Sequence, residues 1–223
     1  PALRDASLTV QRGEIAALVG EGGAGKSTLV SFVNGLLRPA LPGLAVVLGQ
    51  DTADPRCDLL RLRRAVGLVM QYPHQQLFER LLGDDVAYGP RQAGLPQSEI
   101  RERVRWAMEA VGLPFDDFRD RHTFTLSGGE MRRAALAGVL AMRPEILVLD
   151  EATSALDQGT ERELQEALDN LAVGRTTLTI AHRLTTIRGA DVIWVLTEDG
   201  LEEHGSHDEL MAKQGLYYQL YQM

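Results

Sequence analysis

The chain has 223 residues, enough to bury a core, and its 44% apolar and 24% charged residues are an ordinary globular mixture. Lys plus Arg is 23 against 31 Asp plus Glu, a net charge of -8, which argues against broad nucleic-acid binding because that needs a basic face. A bilayer-spanning helix needs roughly 20 apolar residues. The most continuous apolar run, Ala134 to Met142, is shorter and is flanked by Arg133 and Arg143. The first residues, Pro1-Ala2-Leu3-Arg4-Asp5, lack the apolar core of a signal peptide. A single cysteine, Cys57, excludes an internal disulfide.

In chain order, Ser7 to Val10 and Ile15 to Val19 read as strands around a turn at Gln11-Arg12-Gly13-Glu14. The second strand runs into Gly20-Glu21-Gly22-Gly23-Ala24-Gly25-Lys26-Ser27-Thr28. Leu29, Val30, Phe32, Val33, Leu36 and Leu37 then follow helical spacing, with Pro39 and Pro42 expected to end that helix. Leu44 to Leu48 and Ala65 to Met70 read as short strands. From about Tyr72 to Met142 the pattern is mostly helical, with Ser98 to Val111 expected to take Ser98 as its N-cap and to stop at Gly112. Strand character returns at Ile146 to Leu149, Thr176 to Ile180 and Val192 to Leu196, with a helix expected from about Gln158 to Leu171. Leu216, Tyr217, Leu220 and Tyr221 read as a C-terminal helix that packs on the core. Strand–helix alternation around a helical insertion predicts an α/β core with a helical lobe.

Gly20-x4-Gly25-Lys26-Ser27 matches the phosphate-binding P-loop, in the required strand–loop–helix context. Gly20, Gly22, Gly23 and Gly25, with Ala24 between them, let backbone N–H groups turn inward around phosphate oxygens. The start of the following helix, through Thr28, adds a favourable dipole. Lys26 is expected on the β- and γ-phosphates and Ser27 on Mg²⁺. A chance Gly-rich turn is the plain alternative.

Ile146-Leu147-Val148-Leu149-Asp150-Glu151 is an apolar strand ending in two acids. Asp150 is expected to hold Mg²⁺ through its water shell, and Glu151 to polarise the attacking water. Neighbouring strand residues point opposite ways, so the strand end must bend if both acids serve one site. On its own the pair reads equally well as a helix N-cap after a core strand.

Leu126-Ser127-Gly128-Gly129-Glu130, together with the P-loop and the acidic strand, resembles the nucleotide-binding domain of an ABC transporter. The resemblance implies a P-loop NTPase (RecA-like) α/β core over 1–72 and 143–223, with a helical lobe over 73–142 and a small antiparallel β part. It implies ATP and Mg²⁺ as ligands. Ser127, Gly128 and Gly129 open a helix and form a second anion site; in this family that site faces the nucleotide of an opposite subunit. A homodimer, or a heterodimer with another ABC ATPase domain, is therefore implied, as are a membrane-spanning transporter subunit and a cytoplasmic place on the inner face of the membrane. The signature usually ends in Gln, so Glu130 departs from it.

Further motifs match in order. Gln71 matches the Q-loop that links Mg²⁺ and water to the membrane partner, Asp157 in Ser154-Ala155-Leu156-Asp157 the D-loop that contacts the opposite subunit, and His182 the switch histidine at the γ-phosphate. Val66 to Pro73, Gln76-Leu77-Phe78, Val86 to Pro90 and Ala137 to Met142 resemble energy-coupling-factor importers. From Asp150 to Asp157 onward, with Ile180 to Leu184 and His204 to Leu210, the chain resembles exporters. An apparent join near Ile146 to Glu151 fits a chimera or design, and a divergent natural protein is the other origin. The family usually carries an adenine-stacking aromatic before the stretch matched by Ala2 to Asp5, so the N-terminus reads as truncated. Chromosome-maintenance ATPases share the signature but insert a long coiled coil, and no heptad pattern stands between Gln71 and Leu126. Arg132 and Arg133 read as a solvated helix face, with a phosphate or acidic partner as the alternative. Arg61, Arg63 and Arg64 read as surface charge, and His204 and His207 lack metal-binding company.

Overall fold

The computed structural model describes residues 6–150, 164, 167–168, 172, 174–181 and 184–222. They divide into two compact units. One holds the described residues through Val66, those of 146–150 and those from Gly174 onward; the other holds 67–145 and the described residues of 152–173.

The first unit is built on strands β1 (Ile15–Val19), β5 (Ile146–Asp150), β6 (Thr176–Ile180), β7 (Val192–Leu196) and β8 (Leu201–Gly205), in spatial order β5-β6-β1-β7-β8. β1 is parallel to both neighbours: Ala16 faces Leu178 on one side and Val192 on the other. β5 is parallel to β6, and β7 and β8 run antiparallel. A parallel strand covered on both faces needs apolar residues throughout rather than in alternation. Accordingly Ala16, Ala17, Leu18 and Val19 are all buried, as are Leu147, Val148 and Leu149. β8 alternates between half-buried and exposed residues, as suits the last strand of the order. On it His204 stacks against Trp194 of β7, with ring centroids 4.7 Å apart.

Helix α1 (Lys26–Val33) follows the loop after β1 and packs against β5 and β6. It ends earlier than its apolar spacing predicts: Asn34 is the C-cap and Gly35 takes a φ of +67°. The left-handed turn at Gly35 stops the helix before Pro39 is reached, and Leu36 and Leu37 are left 50% and 43% exposed. Arg63, read as surface charge, donates to the Gly35 carbonyl at 2.8 Å and so helps to close that end. It comes from α2 (Leu59–Ala65), whose N-cap is Asp58. The strand expected over Leu44 to Leu48 shrinks to β2 (Val46–Val47), paired antiparallel with β3 (Gln50–Asp51). Between them Leu48 and Gly49 have φ values of +49° and +74°, the backbone of a tight two-residue hairpin turn. Residues 7–10 form no strand; the expected turn after them is present, with Glu14 N–H donating to the Gln11 carbonyl at 3.1 Å.

Among the described residues the regular structure of the second unit is helical apart from β4 (Val66–Val69), whose first residue belongs to the other unit. Helices α3 (Leu82–Gln92), α4 (Gln97–Ala110) and α6 (Gly128–Leu140) pack on one another, and Leu82, Val86, Ala107, Met108, Leu136 and Leu140 on them are buried; α5 (Phe115–Phe118) is a single turn. Ser98 does not cap α4. Pro96 occupies the N-cap with φ -59°, already suited to helix entry, and makes no side-chain cap bond. The helix does stop at Gly112, whose φ is +72°. Of the helix expected over 158–171, only Leu164, Ala167 and Leu168 are described; all three are helical, as is Ala172 just beyond it.

The chain then closes the first unit with α7 (Leu184–Arg188), α8 (His207–Lys213) and α9 (Leu216–Gln222). Tyr217, as expected of the last helix, is fully buried with Ala17, Val195 and Leu210. Burial pushes its phenol up to about 12, and its hydroxyl lies 2.7 Å from His207 Nδ1. The N-terminus of α9 is capped from β8, where Glu203 accepts the Leu216 and Tyr217 N–H groups at 2.8 and 3.0 Å. Loss of an N-terminal cap costs about 1 kcal/mol, up to about 2. Glu203→Ala should therefore lower the unfolding free energy by that amount, seen as a lower urea midpoint at an unchanged denaturant slope. An unaltered midpoint would show that this carboxylate does not hold the helix.

Candidate nucleotide-binding site

The P-loop leaves the end of β1, where two parallel neighbours fix its position. Gly20 has a φ of +149°, and a Cβ there would lie 2.0 Å from the Leu196 carbonyl oxygen, so only glycine fits. Gly23 and Gly25 are also left-handed, with φ values of +87° and +93°, and Gly25 is the N-cap of α1. Gly22 and Gly23 are exposed, whereas Ala24 and Lys26 are buried. Lys26 folds back inside the loop and donates from Nζ to the carbonyls of Gly20 at 2.9 Å and Glu21 at 2.8 Å. Its ammonium is therefore held where phosphate oxygens would be cradled. Thr28 follows in the first turn of α1.

Ser27 Oγ donates to Asp150 Oδ1 at 3.1 Å. The two residues come from the start of α1 and the end of β5, and β6 lies between β1 and β5 in the sheet. The two expected metal-binding oxygens are thus neighbours, although 123 residues apart in the chain. A hydroxyl and a carboxylate are hard oxygen donors suited to Mg²⁺. Glu151 and His182 lie outside the described residues, each within two residues of a strand end, β5 or β6. Asp157 lies outside them as well.

The second unit carries Gln71 and the signature. Ser127 is the N-cap of α6 and forms a reciprocal capping box with Glu130: Glu130 N–H donates to Ser127 Oγ at 3.2 Å, and Ser127 N–H to Glu130 Oε2 at 2.7 Å. Glutamate thus fills the position usually held by Gln with an intact cap. Helix geometry leaves the Gly128 and Gly129 N–H groups without an intrahelical acceptor at an exposed helix start. Gln71 stands two residues beyond β4.

Arg132 and Arg133 are half-buried, which corrects their reading as a solvated face. Arg132 donates to the Gln71 carbonyl at 3.3 Å and Arg133 to the Gly112 carbonyl at 3.4 Å. Nothing in helical periodicity signals such contacts, because they depend on loops remote in sequence.

These features coincide with the comparison to known proteins: residues 3–154 match the family model described as ABC transporter. The chain belongs to the ABC transporter family. It is an ATP-binding, ATP-hydrolysing domain of that family, on the P-loop α/β fold. It is 43% identical over 214 residues to the energy-coupling factor transporter ATP-binding protein EcfA2 of Symbiobacterium thermophilum, covering 95% of this chain and 74% of that protein. It is 42% identical over 228 residues to the ATP-dependent lipid A-core flippase of Syntrophus aciditrophicus, covering 100% of this chain and 37% of that protein. The solved structure of a bacterial Atm1-family ABC exporter with ATP bound superposes with a TM-score of 0.84 at 35% identity, over 99% of this chain and 38% of that one. The mixed resemblance of the motifs is therefore present in whole-chain comparison. Both kinds of relative align across nearly the entire chain, so a chimeric origin gains no support over a single ABC ATPase.

The Ser127 N–H holds the Glu130 carboxyl below the ordinary glutamate range, with Arg121 and Arg133 adding to the effect. A depressed folded-state pKa gives stability that is complete at neutral pH and is lost as pH falls below roughly 4.3. Glu130→Gln keeps an oxygen acceptor but no charge, and should cost about 0.3–1 kcal/mol at pH 7. Urea midpoints of the two proteins should converge as pH is lowered towards the acid range. A gap that stays constant with pH would refute the charge contribution.

Proposed function

We propose that this chain is the nucleotide-driven motor of a membrane transporter, binding ATP with Mg²⁺ and pairing head to tail with a second ABC ATPase domain, identical or different. It would work at the cytoplasmic face of the membrane against a membrane-spanning subunit; among the described residues no helix is long and apolar enough to cross a membrane itself. The domain would comprise a core over 1–72 and 143–223 and a signature-bearing lobe over 73–142. The observation that carries this reading is the contact of Ser27 with Asp150 beside the internally held Lys26.

In the proposed cycle the P-loop N–H groups and Lys26 would hold the β- and γ-phosphates, and Ser27 and Asp150 would hold the metal; for Gln71 the Q-loop resemblance implies a role toward Mg²⁺ and the attacking water. When bound, Mg²⁺ neutralises charge on the phosphate oxygens. Glu151 takes the proton of the attacking water as its oxygen bonds to the γ-phosphorus and the bond to the β–γ bridging oxygen breaks. His182 orients the γ-phosphate. Ser127, Gly128 and Gly129 would cap the nucleotide held by the second copy, and Asp157 would touch that copy. Overall acidity does not oppose this chemistry, because the positive field is local, from Lys26 and helix N-termini.

Lys26→Ala should abolish measurable ATP binding by titration, and an unchanged affinity would refute the cradle. Glu151→Gln should bind ATP, stop turnover and accumulate as the nucleotide-bound dimer in size-exclusion chromatography; normal turnover by that variant would remove Glu151 from the role of base.

A further inference from the structure

The segment joining β4 to α3 contains Gln71, yet little regular structure holds it: a single 3-10 turn, Pro73–Gln75, follows Tyr72. A catalytic side chain on such a segment needs restraint, because a loop placed by backbone torsions alone samples many positions. The restraint is supplied by a residue assigned no role so far. Gln76 Oε1 accepts the Met70 N–H at 2.8 Å, and Gln76 Nε2 donates to the Leu68 carbonyl at 3.0 Å. These are the groups that a neighbouring strand would bond, and one amide side chain satisfies both. The side chain is half-buried and its own backbone is fixed, since Gln76 N–H donates to the Pro73 carbonyl at 3.0 Å. On the far side of the bond, Arg132 holds the Gln71 carbonyl. Gln71 therefore sits between two anchored points, the Met70 N–H before it and its own carbonyl after it.

We propose that Gln76 is a positioning residue for Gln71: its amide closes the loop onto the end of β4 and sets where the Gln71 side chain projects. The inference rests on the role proposed above for Gln71. It concerns turnover rather than nucleotide affinity, because Gln76 bonds the Met70 N–H and the Leu68 carbonyl and none of the P-loop groups proposed to hold the phosphates.

The test is steady-state Mg-ATP hydrolysis by the purified chain, with kcat and KM read separately and thermal midpoints recorded, for Gln76→Ala, Gln71→Ala and the double variant. A misplaced catalytic group costs up to about 100-fold. Gln76→Ala should lower kcat about 10- to 100-fold and leave KM within about twofold. In the Gln71→Ala background the same change should cost no more than about twofold in kcat, since no side chain remains to be positioned, while its thermal effect persists in full. A folded Gln76→Ala protein with normal kcat overturns the proposal, and so does a loss that multiplies with that of Gln71→Ala. Normal turnover by Gln71→Ala alone removes the underlying role of Gln71 and the proposal with it, an outcome told apart by that single variant. Should Gln76→Ala fail to fold, Gln76→Glu decides: it retains an acceptor for the Met70 N–H but cannot donate to the Leu68 carbonyl. It should give an intermediate kcat, and an unaltered kcat overturns the proposal.

Discussion

β1 is hydrogen-bonded on both edges by parallel strands, and this double pairing fixes the point at which the chain leaves the sheet. The rest of the nucleotide-binding apparatus inherits that point. Only glycine can turn there, because a Cβ would meet the Leu196 carbonyl oxygen at the end of the neighbouring strand. Lys26 folds back on the carbonyls of Gly20 and Glu21, and Ser27 comes within reach of Asp150. The ladder is obligatory, because an unpaired backbone group buried on both faces would lose its water without replacement. A shift of β1 by one residue would move Gly20 away from the Leu196 carbonyl, where an absent Cβ is required.

The P-loop and the acidic strand are readable from sequence because their chemistry and their local geometry coincide. Glycines stand where left-handed backbone is needed, and an apolar run ends where the carboxylate is needed. The signature was legible for the same reason: Ser127 and Glu130 are three residues apart, the spacing of a reciprocal cap. What escaped depends on partners that spacing does not record. Ser7 to Val10 has strand composition but takes no strand. Leu36 and Leu37 continue a helical spacing that one left-handed residue, Gly35, had already ended. Ser98 has the chemistry of a cap, but Pro96 enters the helix two residues earlier. Arg132 looks like a solvated charge until Gln71 is brought beneath it. Glu151, Asp157 and His182, legible as motifs, fall outside the described residues.

Acidic groups recur at helix starts. Asp58 caps α2, Glu130 and Glu209 complete capping boxes with Ser127 and Ser206, and Asp84, Asp85, Asp116, Asp117 and Asp208 lie in first turns. Each of these carboxylates meets the positive end of a helix dipole. Part of the net negative charge of the chain is thus locally matched. The P-loop helix differs, having no acid in its first turn, so its N-terminal field stays available to an anionic ligand.

The register of β1 also has a kinetic meaning. Its partners are Thr177 to Ile180 and Val192 to Val195, so neither edge of the strand can be closed until residues far along the chain have been made. Contacts of such long sequence separation slow folding, since the intervening loop must be ordered before the pairing rewards it. During synthesis an apolar strand would therefore emerge well before its neighbours and wait, edge-open, for them. That interval is the time when a hydrophobic strand is most exposed to misassociation. The central strand of the finished sheet is thus an edge open to misassociation while its partners are still being made.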